Sequence, residues 1–200
     1  MEEDRLTKQI EFLAEIDKLK AVFRRAYLIA DPDRRENSAE HSWHVAMLAF
    51  ILGEYCQSSI NLDHVIRILL VHDIVEIDAG DTGIYDTVFA DSQVDREKNA
   101  AERIFDLLPP DQGREVFQLW EEYEKGATAE AGFARAVDRL MPLVHNYYNQ
   151  GKRWKEDGIT YEQVLAINQV IGESSPKLWE FALSLINECL ERGYLQKGAN

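Results

Sequence analysis

Of the five histidines in this chain of 200 residues, His72 stands out because Asp73 follows it directly. The pair ends an apolar run, Val65 to Val71 broken only by Arg67, and Glu76 and Asp81 come soon after. Ionisable groups set against apolar sequence are costly to bury unless they are paired or hold a cation. Imidazole nitrogen and carboxylate oxygen together suit first-row divalent ions, and the lack of cysteine ligands favours a catalytic over a structural site. His41, near the start of another helical stretch, offers a second imidazole. Asp138, inside an otherwise apolar helical pattern, offers a second carboxylate. Alone, Asp138 is as well explained by a solvated helix face; beside the other three it reads as a ligand.

Other residues have plainer readings. His44 lies one turn after His41 and fits a supporting or interface position. His64 follows the capping Asp63 and reads as an exposed helix start. His145, two turns beyond Asp138, shares its helix face, which leaves open a pocket-lining or a structural role. Trp43, Trp120, Trp154 and Trp179 fit core or dimer-interface positions. The run from Trp120 to Lys125 reads as a solvated helical face. Arg34 and Arg35 could bind phosphate or pair with acidic neighbours.

The elements that must position these groups are helical. Apolar residues recur every three or four positions from Leu6 to Tyr27, through Ile10, Leu13, Ile16, Leu19 and Phe23, which predicts an amphipathic helix. Asp31-Pro32-Asp33 breaks it. Asn37 to Glu40 looks like a cap for a helix over about 39–57. A central, nearly all-apolar helix follows Asn61 and ends near Glu76. Asp78 to Gly83 reads as a loop. Further helices are expected over 96–108, stopped by Pro109-Pro110, then 113–125, 128–150, 160–173 and 176–191, with Pro142 kinking or bounding the third of these five. No useful period-two segment and no repeat is evident. The expectation is one all-α domain.

Composition sets outer limits. With 46% hydrophobic and 29% charged residues the chain can bury a core. Its net charge of −14 repels a phosphate backbone, so duplex nucleic acid is a poor partner, although a local arginine or ion can still attract a small anion. Cys56 and Cys189 lie in apolar helical patterns and read as buried free thiols. Met1-Glu2-Glu3-Asp4 is not a signal sequence, and no apolar run of about 18 residues occurs, so no membrane partner and a cytoplasmic location are expected.

The ordered set His41, His72-Asp73 and Asp138 resembles the H…HD…D signature of the HD-domain metal-dependent phosphohydrolases. Arg35 to His44 (RENSAEHSWH) is similar to the segment carrying the first histidine in the branch that includes the 5′-deoxynucleotidases. His72 to Asp81 (HDIVEIDAGD) is similar to that branch's HDxxExxxGD segment, and Ala136 to Leu140 (AVDRL) to its last ligand helix. The resemblance spans about residues 6–190 and implies a single HD-type helical bundle over 1–200, with the metal-site core at about 20–150. It further implies that His41, His72, Asp73 and Asp138 hold one divalent ion per chain, whether Mn, Co, Fe, Ni, Zn or Mg. Glu76, on the same helix face as Asp73, would handle protons. Asp81 would lie near the attacking water or a sugar. Arg24 or Arg25, with Arg24 preferred from its distance to His41, would grip phosphate, and Arg35 is a further candidate. A homodimer is also implied.

Two departures from the deoxynucleotidase pattern leave the substrate open. Tyr27 stands nearest to where that branch carries a tryptophan, and the segment from Pro142 to Trp154 resembles a subgroup described only as HD-domain hydrolases. The implied activity is hydrolysis of (deoxy)nucleoside 5′-monophosphates. Alternatives are another phosphoester, such as a cyclic nucleotide or a nucleoside triphosphate, or a metal-containing nucleotide-binding regulatory module without turnover. The presence of Glu76 and Asp81, which such a module would not need, argues against the last.

Overall fold

The computed structural model describes residues 4–85 and 90–198; the acidic start at Met1 to Glu3 lies outside them. In chain order the elements are α1 (Arg5–Ile16), a 3-10 turn (Asp17–Ala21), β1 (Phe23–Tyr27), β2 (Arg35–Asn37), α2 (Ser38–Leu52), a second 3-10 turn (Gly53–Tyr55), α3 (Leu62–Val71), α4 (Glu76–Ala79), α5 (Ala90–Phe105), α6 (Pro110–Lys125), α7 (Ala129–Tyr148), α8 (Lys152–Asp157), α9 (Tyr161–Asn168), α10 (Ile171–Ser174) and α11 (Pro176–Glu191). The all-α expectation holds, with one small antiparallel ribbon added.

That ribbon corrects the long first helix. The helical period from Leu6 to Tyr27 runs across three different elements. Only Phe12 of α1 is buried, while Leu6, Ile10 and Leu13 are exposed. Beyond Ala21 the backbone pairs instead with Arg35–Asn37, and Ser38 N–H donates to the Val22 carbonyl at 2.9 Å. Tertiary pairing overrides a local period here. Strands of five and three residues are too short to announce themselves by alternation. Between the pairs Phe23–Asn37 and Tyr27–Arg35, β1 advances four residues and β2 only two, so β1 is bulged.

Helix ends follow local chemistry. Asn37 closes a capping box: its side chain accepts from Glu40 N–H, and Glu40 accepts in return from Asn37 N–H. The central helix α3 stops at Val71, five residues earlier than expected, and a tight turn carries His72 to Val75 into α4. Pro110 opens α6 rather than merely ending α5, because a first helical residue needs no N–H partner. Pro142 lies inside a continuous α7 and leaves the Asp138 carbonyl without its helical donor four residues on. The expected helix over 160–173 divides into α9 and α10, and α8 was not anticipated. Gly151, at φ +71°, starts α8; a Cβ there would sit 2.0 Å from the Tyr194 carbonyl oxygen, so glycine permits the C-terminal strap to pass.

Two apolar clusters organise the bundle. The larger joins α2, α3, α7 and α11 through Val45, Ile68, Leu69, Phe133, Leu140 and Ile186. The smaller joins α1, α5 and α6 through Phe12, Ile104, Phe105 and Trp120, and includes Ile74 and Val75. Each fully buried Leu, Ile or Phe contributes about 1.5–3 kcal/mol. His72-Asp73 sits at the seam: Leu69 before it feeds one cluster, and Ile74 after it feeds the other. Cys189 is a buried free thiol as expected, whereas Cys56 is half-buried. Among the described residues no helix is long and apolar enough to cross a membrane.

Candidate metal centre

The first turn of α2, the turn after α3, and the middle of α7 converge at that seam. His41, His72, Asp73 and Asp138 are all buried. His41 Nε2 lies 2.8 Å from Asp138 Oδ1. His72 Nε2 lies 3.1 Å from Asp73 Oδ1 and 3.8 Å from Asp138 Oδ1. The four sequence-chosen ligands are therefore brought together.

Both rings are oriented from behind. His41 Nδ1 donates to Glu36 Oε2 at 3.2 Å, and His72 Nδ1 donates to the Leu69 carbonyl at 2.8 Å. Each Nε2 then presents a lone pair towards carboxylate oxygens. His72 Nε2 is buried without a hydrogen-bond partner. Lone pairs aimed at anionic oxygens repel one another unless a cation lies between them. Burial pushes His72 down, but Asp73 and Asp138 outweigh it and raise it to about 9, as carboxylates so close to the ring favour a positive charge there. Burial raises Asp138, yet its bonds to the two histidines hold it well below the usual carboxylate range. The donor set fits a divalent ion, with outer partners fixing each tautomer.

Around these donors lie the groups for phosphoester chemistry. Arg24, from the bulged β1, is half-buried with Nη1 at 2.6 Å from Asp73 Oδ2, 3.5 Å from Glu76 Oε1 and 3.9 Å from Asp81 Oδ1. Burial opposes its charge, but those carboxylates more than compensate and raise its pKa. Glu76, on the first turn of α4, has the opposite fate. Burial and then the nearby Asp73 push its pKa well above the ordinary value, while the Ser38 hydroxyl donates to Oε2. Asp81 is raised more moderately, by burial against the pull of Arg24.

These residues line one cavity of about 270 Å³, near the small end of the roughly 300–1,000 Å³ range of small-molecule sites. His72, Asp73, Glu76, Asp81 and Asp138 stand at one end, and Ile167 and Asn168 from α9 reach its wall. Because the bulge breaks strict alternation, Arg24 and Arg25 both line it. Arg25 Nη1 lies 3.7 Å from Asp157 Oδ2. Arg35 is not among the lining residues. It is exposed, with its guanidinium 5.7 Å from the Tyr27 ring centre, and Arg34 pairs with Glu40. Five arginines line the cavity (24, 25, 135, 139 and 153) among seven carboxylates, so its wall is strongly charged with both signs.

Several working residues escaped the sequence reading. The run from Trp120 to Lys125 is not simply a solvated face: Trp120 is buried, and the Tyr123 hydroxyl donates to Asp138 Oδ2 at 2.8 Å. Tyr123 also packs edge-on to His72, with ring centres 4.8 Å apart. Its three-residue spacing from Trp120 was the available signal. Glu36 is 1% exposed yet bears a carboxylate; its place five residues before His41 was visible, but its role needed the β2-to-α2 corner. His64 pairs with Glu122 at 2.8 Å, away from the cavity.

Residues 16–179 match the HD domain family. A 5′-deoxynucleotidase of Homo sapiens, HDDC2, is 32% identical over 135 residues, which cover 68% of this chain and 65% of that protein. The chain thus spans slightly under two thirds of that relative's length. The crystal structure of a protein from Magnetospirillum magnetotacticum MS-1, described as a predicted metal-dependent phosphohydrolase, is 48% identical, covers 96% of both chains and superposes with a TM-score of 0.92. PH0347 from Pyrococcus horikoshii OT3, at 22% identity with 92% of this chain and 99% of that one covered, superposes with a TM-score of 0.63 and shares the fold. Matched along most of its length and carrying the ordered histidines and aspartates, the chain belongs to the HD-domain family.

Proposed function

We propose that the protein is a divalent-metal-dependent phosphomonoesterase acting on (deoxy)nucleoside 5′-monophosphates. His41, His72, Asp73 and Asp138 would hold the ion. When bound, the ion acidifies water and neutralises phosphoryl oxygens. Arg24 would share the phosphate charge from the cavity wall, its guanidinium fixed by Asp73 and its charge secured by its carboxylate neighbours. Glu76, whose burial favours the protonated carboxyl, would deliver a proton to the leaving alkoxide, and Ser38 holds its Oε2 in place. Asp81, less strongly raised, would orient the water or the sugar. Arg25 is a second phosphate or sugar contact at the cavity rim. Arg35, turned towards Tyr27, has no part in this reading.

The observation that carries the proposal is the placement of Arg24 and the buried Glu76 carboxyl directly beside the four converging donors. The names of the relatives in Homo sapiens and Magnetospirillum agree with it. A homodimer is part of the same reading. Its support is the exposed apolar row Trp43, Met47, Phe50 and Ile51 on α2, and light scattering tests it. The activity is tested by phosphate release across nucleoside monophosphates with Mn, Co, Mg, Ni and Zn, using Asp73→Ala as control. Release from 5′-monophosphates and not from cyclic nucleotides or triphosphates is expected. No release from any monophosphate with any of these ions overturns the proposal.

A further inference from the structure

Behind His41, on the side away from the cavity, lies a second group of donors that the proposed chemistry does not use. Glu36 from β2, His44 from α2 and His145 from α7 present ligand atoms that all lie within 4.8 Å of one another. Glu36 and His145 are almost fully buried, whereas His44 is half-buried and opens the group to solvent beside exposed Trp43. His145 Nδ1 lies 3.9 Å from Glu36 Oε2, and the rings of His44 and His145 are 5.8 Å apart. The decisive detail is His145 Nδ1. It is buried at a residue only 2% exposed, points into the group, and has no hydrogen-bond partner. Buried polar atoms are nearly always satisfied, so an orphan among other donors asks for a missing ligand.

We propose that Glu36, His44 and His145 form a second divalent-cation site. Two imidazoles and a carboxylate suit a borderline ion such as Zn, Co or Ni, and three protein ligands leave a position for water on the solvent side. A neutral His145 imidazole would offer its Nδ1 lone pair to such an ion. His44 provides the entry path. Glu36 belongs to both places, since Oε2 accepts from His41 Nδ1 at 3.2 Å. With three ligands and one carboxylate against four ligands and two, this site fills after the principal one.

The inference is independent of which phosphoester is cleaved, and its test needs no turnover. The metal-stripped full chain is titrated with Co(II), following the visible absorption bands, with bound metal counted by mass spectrometry. Wild type should take up two ions per chain. Asp138→Asn should lose the tighter one. His145→Gln and His44→Gln should each keep the tighter ion and lose the weaker. Should His145→Gln fail to fold by circular dichroism, His44→Gln at its half-exposed position decides. One ion in wild type, or a second ion that survives His44→Gln and folded His145→Gln, overturns the second site and leaves the principal one standing. No bound ion at all overturns both.

Discussion

The two ends of the cavity are built by different rules. At the proposed ion end, each donor is held by a partner: His72 by the Leu69 carbonyl, His41 by Glu36, Asp138 by Tyr123 and Asp73 by Arg24. At the far end, Tyr85, Ile167 and Asn168 come from a loop and from short α9, and Asn168 spends its amide on the Val164 carbonyl. The first end is fixed by charge and hydrogen bonding throughout, whereas the second adds apolar and amide side chains to charged ones such as Arg153 and Asp157. On the proposed reading, changes at the far wall would alter substrate preference and leave the ion chemistry in place.

That division is open to direct attack, starting with the largest effect. Asp138→Asn removes an anionic ligand and disturbs His41, His72 and Tyr123 together. Bound metal should fall below detection, and phosphate release should drop by about 1,000-fold or more. Retained metal and activity would end the assignment of this end as the ion site. Glu76→Gln keeps the shape and the Ser38 contact but not the proton. It should lower kcat by roughly 100–10,000-fold with bound metal unchanged, and a change confined to KM would mean that Glu76 only binds.

Tyr123→Phe probes the outer partners. It should weaken metal affinity by about 10–100-fold, read by competition with a chelator. If it altered preference among nucleotides instead, the two ends would not be separable. Ile167→Ala, at the far end, should change the ratio of KM values between nucleoside monophosphates by about tenfold while metal affinity stays constant. A loss of metal in that variant would show the far wall supporting the ion end.

The same contrast explains what could be read from the sequence. His72-Asp73 and Asp138 were visible because acids and imidazoles interrupt apolar helical stretches, and no solvated face accounts for all of them together. Glu76 and Asp81 fell into the same short segment. Arg24 was placed only by its distance from His41. The ribbon that carries Arg24 escaped notice, since five residues of β1 continue a helical period by coincidence and three of β2 show no period at all. Tyr123 was hidden by the charged residues around it. The far wall left no trace: Tyr85, Ile167 and Asn168 are ordinary aromatic, apolar and amide side chains, made significant only by where α8 and α9 pack.

Pro142 has a consequence for metal choice. Three of the four donors sit on well-anchored backbone: His41 on a boxed helix start, His72 and Asp73 in a turn clamped between two cores. Asp138 sits one turn before a proline that cannot return its carbonyl's hydrogen bond. In the proposed site, the missing backbone hydrogen bond thus lies at one donor alone, Asp138. As ionic radius changes along the first-row series, three donors of the proposed site would act as a fixed jaw and Asp138 as the one with backbone slack, so such a clamp would accept ions of several sizes.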